Sequence, residues 1–255
     1  MTALDQADYD FLAANARAGR ALNLPGFIHL DQPIGIRNYI RIANDIARQV
    51  GPGRLLDWGC GYGQMTYLLR RRGFFVTPFD VGPADYSLPD IPVCRDLSVV
   101  RVQEPTELPF QTASFDVVLS CGVLEHVEEG DHSGSEIKSL HEIARVLRPG
   151  GIFFIYQLPQ SYAWQEAMIR RFKLGYSHPR RYRVAEIIGL LQNAGYRVRR
   201  VRRANLMPKN LTGMPSALRS AYSCFSRPLL AIDGILSQWP GLNQIAGVLE
   251  ITAQR

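Results

Sequence analysis

From residue 36 to residue 203, short apolar runs alternate with amphipathic stretches. Ile36, Ile40, Ala43, Ile46, Ala47 and Val50 recur at three- and four-residue spacing, which predicts one face of a helix that Gly51-Pro52-Gly53 stops. An apolar run from Leu55 then enters a glycine-rich turn and a second helix, Gln64 to Arg72, with Gly73 placed as a left-handed C-terminal cap. Prolines at 83, 89, 92, 105 and 109 break any long element in the next stretch, leaving a third strand at Val99 to Gln103. Phe115 to Ser120 and Gly151 to Tyr156 are almost continuously apolar, as parallel strands covered on both faces should be, and a helix from Glu136 to Leu147 joins them. A helix at Val184 to Asn193, stopped by Gly195, precedes a strand at Tyr196 to Arg203. This alternation predicts an α/β fold with a doubly wound, mostly parallel sheet and right-handed crossovers.

The ends depart from that rhythm. Residues 1–34 read as a polar helix, Asp8 to Arg20, followed by the Pro/Gly-interrupted LNLPGFIHLDQPIG, and form an N-terminal helical cap. Residues 35–205 form the core, residues 206–241 an insertion, and residues 242–255 the last strand, whose apolar segment is Ala246 to Ala253. Within the insertion Leu218, Tyr222 and Phe225 fall at helical spacing. Leu229, Ile232, Leu236 and Trp239 continue it after Pro228, which suits a helix's first turn. Two short amphipathic helices follow, either an acceptor lid or a membrane-facing element.

A chain of 255 residues that is 46% hydrophobic buries a full core, as one domain with appendages. The N-terminal segment contains acids and no long apolar run, so a cytoplasmic protein is expected. Cys60, Cys94, Cys121 and Cys224 show no paired ligand spacing, which argues against a disulfide framework and a structural zinc site. Net charge is +6, concentrated between Arg170 and Arg203, where eleven Arg or Lys face the single acid Glu186. Such a run is either a solvated face or a surface that attracts an anionic acceptor, an anionic membrane or nucleic acid. Nucleic acid is the least favoured, because no recognised binding module is present.

The chemistry concentrates in LLDWGCGYGQMT, Leu55 to Thr66, which reads as a strand, a tight turn and the start of a helix. Gly59, Gly61 and Gly63 let the backbone approach a ligand, and the helix N-terminus presents N–H groups to electronegative atoms. A dinucleotide fingerprint would place its third glycine at position 64, where Gln64 stands, and no Gly-Lys-Ser/Thr follows to make a P-loop. The spacing therefore argues against NAD and ATP.

With Asp57, this turn resembles the first motif of class I S-adenosylmethionine-dependent methyltransferases. Three more segments resemble that family in the right order: FFVTPFD ending at Asp80, ELPFQTASFDVVLSCGVLEHV from Glu107 to Val127, and HEIARVLRPGGIFFIYQ from His141 to Gln157. The resemblance implies S-adenosyl-L-methionine as cofactor and a Rossmann-like sheet of seven strands, ordered 3-2-1-4-5-7-6, with the seventh antiparallel. It also implies that Asp57, Gly59, Cys60, Gly61 and Gly63 hold the methionine part, and that Asp80 accepts hydrogen bonds from the ribose. Cys121 and Gly122 line the methionine site, Cys60 otherwise reading as a small packed side chain. By the same resemblance Glu104, or Asp96 in a lengthened loop, is either the adenine contact or a plain loop acid; Pro105, where the family donates a backbone N–H, has none to give.

Methyl transfer is an in-line displacement, so the protein's main task is alignment, with a base needed only if the acceptor must lose a proton. His126, at the carboxyl edge of the fourth strand, is either that base or a pocket-closing residue. His178 in GYSHPRRYR is a substrate contact or second base, and Tyr156, Gln157, Tyr162 and Trp164 lie in the adjoining loop. No metal is expected, since Asp131 and His132 are too isolated to hold one. Glu125-His126 also resembles the motif of quinone-biosynthesis O-methyltransferases. The expected activity is methyl transfer to a small-molecule or lipid-linked acceptor, most readily at oxygen, with no obligate protein partner. The alternatives are an RNA methyltransferase and a non-catalytic cofactor-binding scaffold.

Overall fold

Strand β1 (Arg54–Trp58) lies at the centre of a seven-stranded sheet with β2 (Phe75–Val81), β3 (Val100–Val102), β4 (Phe115–Cys121), β5 (Leu147–Pro159), β6 (Arg197–Ala204) and β7 (Val248–Gln254). The computed structural model describes residues 2–104, 106–128, 134–173, 176–209, 211 and 215–255. The order is β3-β2-β1-β4-β5-β7-β6, and β7 runs antiparallel to both its neighbours while the other pairings are parallel. Both the strand order and the lone antiparallel strand are those expected from the sequence.

The apolar runs are continuous because the two faces of each inner strand are buried against different layers. Leu55, Val117, Leu119 and Phe154 pack with Ile36, Ile40 and Ile46 of α2 (Pro33–Gln49) and with Leu68 of α3 (Gln64–Arg70). Leu56, Val118, Phe153 and Ile155 pack with Leu140 and Ile143 of α4 (Ser135–Val146) and Ile187 of α6 (Val184–Asn193). Burying each such side chain contributes roughly 1.5–3 kcal/mol. Parallel pairing brings the carboxyl ends of β1 and β4 side by side, at the edge where open α/β sheets place ligands.

Several boundaries differ from the sequence expectation for identifiable reasons. Helix α1 (Ala3–Ala21) starts earlier than Asp8, because Thr2 and Asp5 form a reciprocal capping box. Its polar pattern hides a docked face: Asp8, fully buried, pairs with Arg71 at 2.8 Å and Arg72 at 3.0 Å beyond the end of α3. Helix α5 (Trp164–Phe172) occupies a stretch expected to be loop. Helix α4 stops at Val146, and β5 begins there rather than at Gly151, the Arg-Pro-Gly-Gly turn being absorbed as a register shift against β4.

The insertion folds as α7 (Ser216–Cys224) and α8 (Ser226–Leu236). Arg37 of α2 donates to Ser226 Oγ, Lys209 pairs with Asp233 at 2.9 Å, and Arg219 pairs with Asp31. Leu229 and Leu236 are half-buried, whereas Leu218, Phe225, Ile232, Ile235 and Trp239 are exposed. Among the described residues, three of the basic run are paired with acids: Arg180 with Glu136 and Glu186, Arg200 with Asp45 and Arg202 with Glu250. No helix among the described residues is long and apolar enough to cross a membrane.

Candidate active site

The three glycines after β1 serve different needs. At Gly59 and Gly63, a Cβ would come within 2.4 Å of Val123 and 2.6 Å of Leu97, so these two are glycine because neighbouring side chains press on the backbone. Gly61 has φ +54° and nothing within 4 Å of its Cβ position. Only that glycine faces open space. Gly59 and Cys60 donate to the Phe79 carbonyl, both at 2.9 Å, which ties the turn to the end of β2. There Asp80 accepts from Gly61 N and Val81 N, one bond to each carboxylate oxygen and both at 2.8 Å.

Asp57 sits beneath this turn, 2% exposed, and accepts from Thr66 Oγ1 at 2.6 Å. Burial, and after it the nearby Asp80 charge, raise its pKa to about 6 against the relief given by Thr66. A cavity of about 370 Å³ opens from here, lined at one end by Asp57, Gly59, Cys60 and Gly61 and then by Cys121 and Gly122. Burial pushes both the Cys60 and the Cys121 thiol upward, so neither is a thiolate nucleophile.

The other end of the cavity carries Glu125, His126 and His178. A 3-10 turn at Leu124–His126, directly after β4, places Glu125 inward at 2% exposure, with its Oε1 4.0 Å from His126 Nε2. His178 arrives from the segment between α5 and α6, its ring centroid 5.8 Å from that of His126. Glu166 of α5 holds it: Glu166 Oε1 lies 2.8 Å from His178 Nδ1, and Glu166 Oε2 accepts from Ser177 Oγ at 2.7 Å. The sequence reading found no clustered acids or histidines in this region. The fold nevertheless brings one ligand atom each from Glu125, His126 and His178 within 4.8 Å of one another.

Other expected residues fall elsewhere. Asp80 and Gly63 do not line the cavity; Asp80 braces its turn, and Gly63 lines a separate surface cleft with Asp96. Glu104 is exposed and also away from the cavity wall, while Pro105, Asp131 and His132 lie outside the described residues. Tyr156 is buried within β5 and donates to Asp45, and Trp164 donates to the Leu206 carbonyl, so neither is in a loop at the cavity mouth. Gln157 does line it, at a strained φ of +61° and bonded to Asn205 at 2.8 Å.

The cavity also takes His29 and Tyr39 from the N-terminal region, Glu166 from α5 and Lys209 from the insertion. Burial lowers the pKa of Lys209 against its pairing with Asp233. Sequence reasoning missed these four because none sits in a recognisable motif. For Glu166 a signal existed in AWQEAMIRRF, whose helical character places an acid one turn inside a helix beside the mouth.

A family model described as a methyltransferase domain matches residues 56–155. A ubiquinone biosynthesis O-methyltransferase of Xanthomonas oryzae pv. oryzae is 30% identical over 175 residues, 64% of this chain and 71% of that protein. The chain belongs to the class I S-adenosylmethionine-dependent methyltransferases. A 2-methyl-6-phytyl-1,4-hydroquinone methyltransferase of Synechocystis is 29% identical over 154 residues, covering 54% of this chain and 44% of that one. The chain spans about half the length of several curated relatives it matches. Among solved structures, the Burkholderia thailandensis 1,6-didemethyltoxoflavin-N1-methyltransferase, with S-adenosylhomocysteine bound, shares the fold. Its TM-score is 0.52 at 22% identity, over 85% of this chain and 78% of that one.

S-adenosylmethionine is the cofactor of this methyltransferase family, and the residues present fit it. The space at Gly61 admits a ligand against the backbone. Each Asp80 oxygen carries a single backbone N–H and so retains a lone pair for a ribose hydroxyl. The buried Asp57 offers a negative charge to a cationic methionine end.

Proposed function

We propose that this methyltransferase transfers a methyl group from S-adenosylmethionine to an oxygen of a small or lipid-linked acceptor. The observation that carries the reading is a single cavity joining the Gly61 turn to the Glu125, His126 and His178 group. When bound, the cofactor supplies an electrophilic methyl on a sulfonium. The chain supplies alignment: the glycine turn and Asp57 fix the methionine end, and the cavity beyond Gly122 sets the acceptor's approach. An acceptor hydroxyl must lose a proton as it attacks, and Glu125, His126 and His178 are the groups placed to promote that loss. The name of the ubiquinone-biosynthesis relative supports an oxygen acceptor, and the quinone-directed names of both relatives support a hydrophobic ring.

The insertion supports the lipid-linked form of the reading. Ile235, 70% exposed, and Trp239, 60% exposed, stand out from α8 and its C-terminal end, with Phe225 and Arg227 at its start. An apolar stripe with basic neighbours is what a peripheral membrane contact requires. The pairing of Arg180, Arg200 and Arg202 with acids leaves RNA binding with less support than the charge total implied. The experiment is mass spectrometry of the protein with isotopically labelled cofactor and an extract of small molecules and lipids. A labelled methyl on an oxygen-bearing ring compound is the expected result; label only on RNA, or on nothing, overturns the reading.

A further inference from the structure

The acceptor end of the cavity holds three potential ligands of mixed type, two imidazoles and a carboxylate, that reach one point from two separate segments. If three atoms lie at most 4.8 Å apart, the centre of their triangle is at most about 2.8 Å from each. Metal–imidazole and metal–carboxylate bonds are about 2.0–2.2 Å, so side-chain rotations of under about an ångström close the set. Glu125 is already fixed inward after β4. His178 is fixed by Glu166, which accepts its Nδ1–H and so selects the tautomer whose lone pair is on Nε2. Glu166 is itself anchored by Ser177 Oγ and the His178 N–H. A carboxylate behind a histidine is the arrangement that orients metal-bound imidazoles and raises their basicity.

We propose that Glu125, His126 and His178 form a site for a first-row divalent cation on the acceptor side of the cavity, with Glu166 as the positioning residue of His178. Two imidazole donors favour zinc, iron or a similar ion over magnesium or calcium. Three protein ligands leave a position open toward the cavity, as in catalytic rather than structural sites. The proposal rests on the methyl-transfer reading for its purpose: a cation there lowers the pKa of an acceptor hydroxyl brought against it. That hydroxyl gives its proton to water, and its oxygen lone pair forms the O–CH₃ bond. The methyl's C–S electron pair returns to sulfur, leaving neutral S-adenosylhomocysteine, with the cation unchanged in charge.

The test uses tag-free, chelator-treated protein carrying Cys224→Ser, which removes the one exposed thiol. Calorimetry with Zn²⁺ and absorption spectroscopy with Co²⁺ should each report one site, with nitrogen and oxygen ligation and no thiolate charge-transfer band. His178→Ala and Glu125→Gln should weaken binding at least tenfold, and Glu166→Gln by about 10–100-fold. S-adenosylhomocysteine affinity, unchanged in all three, shows that the fold survives. Metal binding that is absent, thiolate-based or indifferent to these variants overturns the site, as does full methyl transfer in metal-free protein, and that last outcome leaves the methyltransferase reading intact. Metal bound at the cluster without methylation of any oxygen acceptor instead overturns the methyl-transfer reading while the site stands.

Discussion

The two ends of the cavity are built on different principles. The end assigned to the cofactor comes from one short segment, Asp57 to Gly61, and its geometry is set by backbone bonds such as those from Gly59 and Cys60 to Phe79. The acceptor end gathers His29, Glu125, His126, Glu166, His178 and Lys209 from scattered segments, held through side chains: Glu166 to His178 and Asp233 to Lys209. A backbone-held site tolerates change in most surrounding side chains, whereas a side-chain-held site alters with each substitution. One fold can therefore keep its cofactor while its acceptor diverges.

The sharpest break in this comparison is expected at Gly61. In Gly61→Val the new Cβ meets nothing within 4 Å, and the main cost to folding is a β-branched residue at φ +54°. The added side chain nevertheless occupies the space the cofactor needs. S-adenosylhomocysteine affinity should fall by about a hundredfold or more, roughly 3 kcal/mol, with a smaller loss for Asp80→Ala. Calorimetry checks both; unchanged affinity in the two variants would remove the cofactor from this turn.

At the acceptor end the expected split is the opposite. His126→Ala should lower turnover by about a hundredfold, the usual scale for losing a proton-handling group, while cofactor affinity stays within about twofold. His178→Ala should behave alike, and Glu166→Gln should give a partial loss, because it acts only through His178. Equal losses of cofactor affinity and turnover in these variants would mean that the two ends are not separable.

The same division explains what the sequence revealed. The strands of the core and the glycine turn are legible because short-range patterns dictate them: an apolar run, glycines where side chains press on the turn, a helix start; the order of the strands in the sheet is legible only through the family resemblance. Legibility ended where tertiary placement decides. Nothing local to Glu166 says that its carboxylate meets His178, and Trp164, expected in a loop, instead opens the helix that carries Glu166. The buried face of α1 was hidden for a related reason, since Asp8 looks solvated until Arg71 and Arg72 are known to reach it. Tyr156 and Trp164, read as mouth aromatics, are claimed by Asp45 and the Leu206 carbonyl.

A pH dependence sharpens the cofactor end further. Asp57 has a pKa raised by burial to about 6, above its unfolded value near 4, so it favours the folded apo protein most below pH 4. That contribution is lost as pH rises through 6. Cofactor binding works in the other sense, because the ammonium of the methionine end prefers the ionised carboxylate. Affinity for S-adenosylhomocysteine should therefore drop as pH falls below about 6, by at most about tenfold per unit. Asp57→Asn should abolish the slope and weaken binding at pH 7.5. A slope that survives this substitution assigns the titration to another group.

The smallest expected effect lies outside both ends, on the helical insertion. Lys209, paired with Asp233 within the insertion, lines the cavity, while Ile235 and Trp239 are exposed, so one element serves two surfaces. Serine at both exposed positions removes apolar area without touching the pair, and leaves cofactor affinity and thermal stability near those of the parent. Sedimentation with vesicles containing anionic lipid should fall by several-fold and should already weaken with salt in the unsubstituted protein. Such vesicles separate a membrane contact from a lid: a lid that only closes on soluble acceptors gives no sedimentation at low salt. If turnover on a soluble acceptor falls with the double serine while vesicle binding holds, the stripe belongs to acceptor capture instead of the membrane surface.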